Sequence, residues 1–503
     1  MLDPGTALEP ERQALLAGVA DRDPSTWDPR VRAELARQPV AASRTELPEK
    51  TVYGSDFAFR DRGQLRDLTA LAAGNLHAVS SALGGFSNAW GAQIMPFSRA
   101  TIDRWPVPYD DLLPHYERVL GHVPLAGVDD DYSELFPTLV TPRPLPPLAP
   151  PSRVALARYT RRRAWVRRAG VTLGAARLAL RGDACIECGL CLTGCPRSLI
   201  YSASQTVSDL VATEAVQYTP GLLAMRVGED ADGPWVTVRG VDDGVQTTLR
   251  ADRLFVACGG IGSTRLMLGS ARPHVRRVEM QESAQIVIPF VSRVPQPDPR
   301  GYKTFTLNQF NVLVEYGRPG LDLAQFHMYP YNPAFEDALP RPLAANATVE
   351  RAFLRRTVAA LGYLPSWASP KLVLNVAPPA GDELPAATIV SESNPRTRAA
   401  LPKVLGRLVA VAPALDLWPA VPAMRLSGPA KSYHFGGSFP HVAGAPAPGR
   451  LETDRLGRIA EFRRIHLVDG SVLPTVPATT FTLTVMANAH RIASEAAAVG
   501  GAA

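Results

Sequence analysis

Residues 185–196 read CIECGLCLTGCP and hold four of the five cysteines of a 503-residue chain. The spacing, Cys185-x2-Cys188-x2-Cys191-x3-Cys195-Pro196, is that of a bacterial ferredoxin cluster. Short gaps with bends at Gly189 and Gly194 let several thiolates converge on one centre, and Pro196 stiffens the exit. A single set of this kind holds a [4Fe–4S] cluster closed by Cys195, or a [3Fe–4S] cluster without it. Two other chemistries compete. A structural zinc ion is normally gripped by two separated cysteine pairs, which one crowded loop does not offer. Metal-free thiols packed in a structural loop are the third reading. Cys258 stands alone in an apolar strand and reads as core. Thiols gathered in one run, not spread as a disulfide framework, suit a reducing compartment.

The elements around this run must position it. RVALARYTRRRAWVRRAG (153–170) is a helix candidate leading into the cysteines, and TPRPLPPLAPP (141–151) is an extended connector before it. Residues 6–50 read as charged helix broken at Asp23-Pro24 and Asp28-Pro29. Residues 233–260 read as a β-meander with a turn at Asp242–Gly244. Alternating runs over 275–375 predict an antiparallel sheet, and the C-terminus reads as strand, loop, helix. The expected division is 1–140, 206–274 and 431–503 as three parts of one α/β domain, 141–205 as connector and cysteine insert, and 275–430 as the sheet domain.

Composition excludes other classes. The formal net charge is +6 and 53 residues are Lys or Arg. Only Lys50, Lys303, Lys371, Lys403 and Lys431 are lysines, which leaves 53 − 5 = 48 arginines. That skew follows a GC-rich coding sequence, so nucleic-acid binding is not expected. The run RYTRRRAWVRR (158–168) reads as the solvated face of its helix, with docking of an acidic electron carrier as a secondary use. No uncharged apolar stretch reaches about 18 residues, so no membrane span is expected. The acidic N-terminus lacks a secretory signal, and a cytoplasmic location is the expectation.

Five stretches carry a resemblance. GGFSNAWG (84–91), WPVPYDDLLPHYE (105–117), RLFVACGGIGSTRLML (253–268), SYHFGG (432–437) and VDGSVLPTVPATTFTLTVMANAHRIA (468–493) occur in the order found in the glucose–methanol–choline (GMC) oxidoreductases, and the chain from around residue 65 onward resembles that family. The resemblance implies an α/β fold: a discontinuous, Rossmann-like FAD-binding domain assembled from the three parts above, with an antiparallel-sheet substrate domain. It implies oxidation of a CH–OH group of an alcohol or sugar-like substrate by hydride transfer to flavin. Gly259, Gly260 and Ser263 would form a strand-to-helix turn close to the cofactor. Asp469 and Gly470 would meet its phosphate–ribityl region. The helix starting near Phe481 would aim its positive end at the flavin. Gly84, Gly85, Ser87 and Asn88 would line it. Ala89 stands where some relatives tether FAD through histidine, so FAD is expected to be non-covalent. Taken one stretch at a time, these glycines read better as simple turns; taken as a set, they do not.

The chain departs from the family at two places. No strand–GxGxxG–helix unit opens it. The opening MLDPGTALEPER resembles the end of the family's second strand, with Asp3 meeting the adenosine ribose; the expectation is a chain without the first βα unit that binds FAD poorly or is unstable, the other reading being an unrelated N-terminal helix from Leu2. The proton-accepting histidine of the family matches His434. Its usual second His or Asn falls at Thr480, which can donate a hydrogen bond but is no base; His441 and Asn488 are the candidate stand-ins. His77, His122, His274, His466 and His490 read as structural. Phe305, Gln309, Phe326 and Tyr329 are the residues expected to face the substrate pocket. Similar cysteine runs occur in a subset of the relatives, which implies an iron–sulfur outlet to an acceptor protein. The competing reading is a non-catalytic or electron-transfer subunit that keeps the fold without FAD.

Overall fold

The computed structural model describes residues 1–37, 51–70, 79–271, 274–333, 344–378, 383–428 and 430–500, with 336, 339 and 381 between them. His77 and residues 38–50 of the first helical stretch lie outside these.

Alternating apolar residues build the larger sheet. It runs in the order 418–419, 285–291, 357–363, 323–329, 310–315, 171–175, with 425–426 also paired to 285–291. Every pairing in it is antiparallel. Ala324, Phe326 and Met328 point to one face, where the helices Pro150–Arg168 and Pro395–Leu415 cover them. Strand geometry then sends Gln325, His327 and Tyr329 to the other face. An antiparallel sheet is present as expected, but it takes only part of 275–430: strands 277–282, 371–376 and 387–392 of that range belong to another sheet. The structure adds to the larger sheet the helix at 150–168 and the strand at 171–175, which the sequence assigned to a connector. Arginines on that helix meet acidic partners: Arg163 Nε lies 2.6 Å from Asp131, Arg167 pairs with Glu134, and Arg158 lies 3.6 Å from Asp416.

The second part is α/β. Leu2–Asp3 pairs in parallel with Thr219–Pro220, and Leu254–Val256 pairs in parallel with Ile465–Leu467. Among the described residues no strand joins these two pairs. The meander forms from 222–230, 233–240 and 246–250, but 254–256 leaves it for Ile465–Leu467. Helix Gly260–Ala271 follows that strand, and helix Thr482–Gly500 packs on Tyr109–Leu120. A further sheet, 435–436, 277–282, 371–376, 387–392, 68–70, lies against the 260–271 helix in one apolar core. The fold class is thus mixed α/β with an antiparallel-sheet domain, as the sequence reading expects.

Near the N-terminus, prolines open both helices, Pro10–Val19 and Pro29–Ala36, where a missing N–H costs nothing. The Asp28 side chain caps the second. Among the described residues no helix is long and apolar enough to cross a membrane.

Candidate functional site

Three tight turns and one helix start meet around His434. Tyr433 takes φ +56°, which a non-glycine residue adopts only at a cost, and swings its ring against Phe86 at 5.1 Å. Gly436 passes so close to the next turn that a Cβ would sit 2.1 Å from Gly470 O. Only glycine fits there, which explains the FGG after His434. Gly437 N–H then donates to Gly470 O at 2.9 Å. Ser263 and Asp469, 206 residues apart, are tied by a 2.5 Å hydrogen bond from Oγ to Oδ2, which locks the 254–260 and 465–470 strand ends together. Asp469 also caps its own turn through Ser471 N–H at 2.9 Å. Phe481, just before the C-terminal helix, brings its ring to 5.3 Å from that of His434.

Within this knot His434 stacks on Tyr363 at 4.7 Å, and Tyr363 lies 5.1 Å from His327. Burial pushes the His434 imidazole down to about 4 and that of His327 to about 3, so both are neutral bases at ordinary pH. Nδ1 of His434, Nε2 of His327 and Oγ1 of Thr480 are buried with no partner among the described residues. Oγ atoms of Ser471 and Thr479 share that condition. Gly85 and Gly259 hold positive φ and face open space, since a Cβ on either would touch nothing within 4 Å.

The other expected residues are placed differently. Ser87 Oγ donates to Gly84 O, and Asn88 Nδ2 donates to Leu83 O and Gly85 O at 2.8 Å each. Asn88 Oδ1 accepts from Ser202 at 2.8 Å. Their side chains therefore fasten the 84–88 loop to the start of helix 203–212, and what that loop offers outward is backbone. Gly84 is pinned there too, because a Cβ would lie 2.7 Å from Ser204 N. Asp3 accepts from Gly5 N–H at 2.7 Å and from the Tyr218 hydroxyl at 3.2 Å.

Two stand-ins are corrected. His441 and Asn488 bond to each other at 3.1 Å, and His441 Nδ1 lies 2.7 Å from Asp454 O, so both belong to the scaffold. Of the expected pocket residues, Phe326 faces the helix-covered core. Gln309 receives the Ala149 N–H at 2.8 Å and holds Thr304 and Phe305. Phe305 packs by the cysteines. Tyr329 is buried on the face that carries His327. Sequence reasoning missed His327; its one signal is the strand's alternation.

No known protein family and no curated protein matches the sequence. Solved structures do match. Pyridoxine 4-oxidase from Mesorbium loti superposes with a TM-score of 0.57 at 12% identity, covering 98% of this chain and 98% of that one. A formate oxidase from Aspergillus oryzae RIB40, studied for the effect of a mutation on FAD modification, gives 0.56 at 12% identity and 84% of each chain. The fold is that of the GMC oxidoreductases. At this identity the likeness fixes the fold and leaves the site to be argued from its own residues.

The cysteine loop is built as carefully. Leu190, Ile186 and Cys188 pack against Val19, Trp27 and Leu35 of the N-terminal helices. Arg32 donates to Cys188 O at 2.7 Å, and the Tyr53 hydroxyl to Cys195 O at 3.1 Å. Gly194, at φ +98°, lies under the Tyr53 ring, where a Cβ would come within 2.4 Å. All four cysteines line one small apolar cavity with Leu180, Leu199 and Phe305. Each thiol faces a backbone amide: Glu187 N–H at 3.4 Å from Cys185, Thr306 N–H at 3.3 Å from Cys191, Leu190 for Cys188, and Arg197, Leu199 and Ile200 for Cys195. Burial raises Cys185 to about 11 and Cys188 to about 12. Among the described residues no three His, Cys, Asp or Glu groups approach closely enough to share one metal ion. Cys258 lies in the turn after its strand, donating its N–H to Ser263 Oγ at 2.9 Å. An open polar cleft of about 740 Å³ lined by Arg62, Arg66, Arg239 and Glu383 shares no residue with either site and holds no unpartnered buried group among the described residues.

Proposed function

We propose that the chain is an FAD-dependent oxidoreductase that oxidises a CH–OH group. The observation that carries this is His434: a neutral imidazole with its Nδ1 buried and unpartnered, set where three glycine turns and a helix start converge. The GMC fold supports it. The residues present suit FAD. Gly85 and Gly259 leave open backbone, Ser471 and Thr479 offer unpartnered hydroxyls, and the 482–500 helix begins beside Phe481. Bound FAD would supply the acceptor for the substrate's C–H electron pair. His434 would take the hydroxyl proton. Phe481 and Tyr363 hold its ring in place and keep water from it, and Thr480 would donate a hydrogen bond toward the reacting oxygen. The reading includes non-covalent FAD, with Ala89 where a tether would stand.

The cysteine loop fits a polynuclear iron–sulfur cluster better than a single zinc ion. The amides aimed at all four sulfurs carry this reading, because N–H donors stabilise the negative charge of a thiolate-bound cluster and do little for neutral thiols. Cys191 sits in the same packed core as Trp90, Leu483 and Phe481, so the two sites share one body. Cys185, Cys188, Cys191 and Cys195 would hold the cluster, which would supply one-electron transfer toward an acceptor protein.

One measurement tests both. The visible spectrum of anaerobically purified protein should show flavin, with iron and acid-labile sulfide in the same sample. A colourless protein that also fails to take up added FAD sinks the oxidoreductase reading. Flavin without iron sinks the cluster alone.

A further inference from the structure

We propose that His327 is a second catalytic imidazole of this site and that the pair makes it a site for a neutral alcohol. The proposal rests on the oxidoreductase reading above. Alternation along 323–329 sends Phe326 and Met328 into the core and His327 to the opposite face. The register places His327 opposite Leu361 and Gln325 opposite Tyr363, so His327 meets the Tyr363 ring diagonally. That ring is the one stacked on His434. Only 3% of His327 is exposed, yet its Nε2 has no partner among the described residues.

A buried polar atom without a partner is costly, and most such atoms in native proteins are satisfied. One orphan can be tolerated. Here two imidazoles from separate segments, a strand (His327) and a loop (His434), meet at the ring of Tyr363, and a third orphan, Thr480, directly precedes Phe481, whose ring meets His434. A ligand with its own donor and acceptor would complete them.

The ligand should be uncharged. Burial alone holds His434 neutral; burial, and after it the neighbouring His434, holds His327 neutral. Among the described residues no carboxylate, lysine or arginine acts on either ring, so a carboxylate or phosphate substrate would lose its hydration and find no counter-charge. A hydroxyl matches the pair. It donates its proton to His434 and accepts a hydrogen bond from an N–H of His327. As the proton moves to His434, charge grows on that oxygen, and the His327 donor stabilises it. The balance closes with the C–H electron pair passing as hydride to oxidised FAD while the C=O bond forms.

The test uses FAD-loaded wild type, His327→Leu and His327→Asn, with benzyl alcohol and 4-(hydroxymethyl)benzoate as probes. His327→Leu should lower kcat about 100-fold, and His327→Asn, which keeps a donor, should recover about tenfold of that. The wild type should turn over the carboxylate probe at least about 100-fold less efficiently than the neutral one. Over the same samples the thermal midpoint of His327→Leu should equal or exceed that of the wild type, because an unpaired buried nitrogen is gone. The His434 ring resonances should shift when His327 is replaced. Wild-type turnover unchanged in His327→Leu, a loss that tracks a falling midpoint, or unshifted His434 resonances overturns the role of His327. Equal turnover of the two probes overturns the neutral-substrate assignment. Flavin-loaded wild type that oxidises neither probe nor any other alcohol overturns the parent reading and the role of His327 with it.

Discussion

His434 and His441 come from one stretch of chain, and both are held neutral by burial, at about 4 and about 3. Their bonding is opposite. His441 Nδ1 lies 2.7 Å from Asp454 O, so it carries the proton, and its Nε2 accepts from Asn488 Nδ2 at 3.1 Å. Asn488 Oδ1 in turn accepts from Arg491 at 2.8 Å, and Arg491 reaches Arg455 O. No buried side-chain polar atom of His441, Asn488 or Arg491 is left without a partner. His434 stacks on Tyr363 and meets the Phe481 ring edge-on, with Nδ1 open. Burial and a low pKa therefore do not separate site from scaffold here; the open hydrogen bond does.

The largest effect should come from His434. Replacing it with alanine should lower kcat about a thousandfold while the urea midpoint stays level or rises. A variant that keeps most of its activity would erase the contrast, and the proton would then need another acceptor.

Acid should expose both histidines together with His327. The unfolded chain binds their protons near pH 6.5, whereas the folded chain refuses them until about 4 for His434 and about 3 for His327 and His441. The unfolded state thus binds more protons between these limits, so stability rises with pH across the window. It is complete above 6.5 and is lost progressively as pH falls toward 4. Urea midpoints taken from pH 7 to 4.5 should drop steadily. The kcat of protein still folded should hold over the same range, because His434 remains a neutral base. Activity that dies near pH 6.5 while the midpoint is flat contradicts the buried, neutral imidazole.

His441→Ala sharpens the contrast from the other side. It strands the Asp454 carbonyl and the Asn488 amide, and should cost about 2–4 kcal/mol of stability. Turnover per folded, flavin-loaded molecule should change little. A large loss of kcat without a change in midpoint would return His441 to the catalytic machinery.

The sequence reveals the two histidines unequally. His434 is legible because SYHFGG is a motif, and the structure shows why its glycines are needed: Gly436 has no room for a side chain beside Gly470. The ordered turns, the antiparallel sheet and the long basic helix are legible through periodicity and punctuation. His327 is not, since a lone histidine among apolar strand residues carries no motif. Period-two alternation does contain part of the answer: Phe326 and Tyr329 cannot face the same side of a strand, and Tyr329 shares its side with His327. The strand at 254–256 misleads for a different reason. Its local pattern continues the meander, and only a partner at 465–467, far along the chain, draws it away. Ser87 and Asn88 mislead likewise, because their bonding partners at 202–204 are invisible from the 84–91 stretch.

Thr480 gives the smallest and most discriminating effect. Its hydroxyl is buried and unpartnered like His434 Nδ1, yet threonine cannot act as a base at ordinary pH. If the hydroxyl is there for a ligand, Thr480→Val keeps the shape and removes only the donor. The flavin-free protein should then gain up to about 1 kcal/mol, because an unsatisfied group leaves the interior. Turnover should fall by no more than about tenfold, the worth of one neutral hydrogen bond to the reacting oxygen. The two signs must appear together. A variant that loses stability shows a hydroxyl bonded within the protein, and Thr480 would then belong with His441 in the scaffold. A variant that gains stability with unchanged turnover shows an orphan that no ligand uses, and the site would be left to the imidazoles alone.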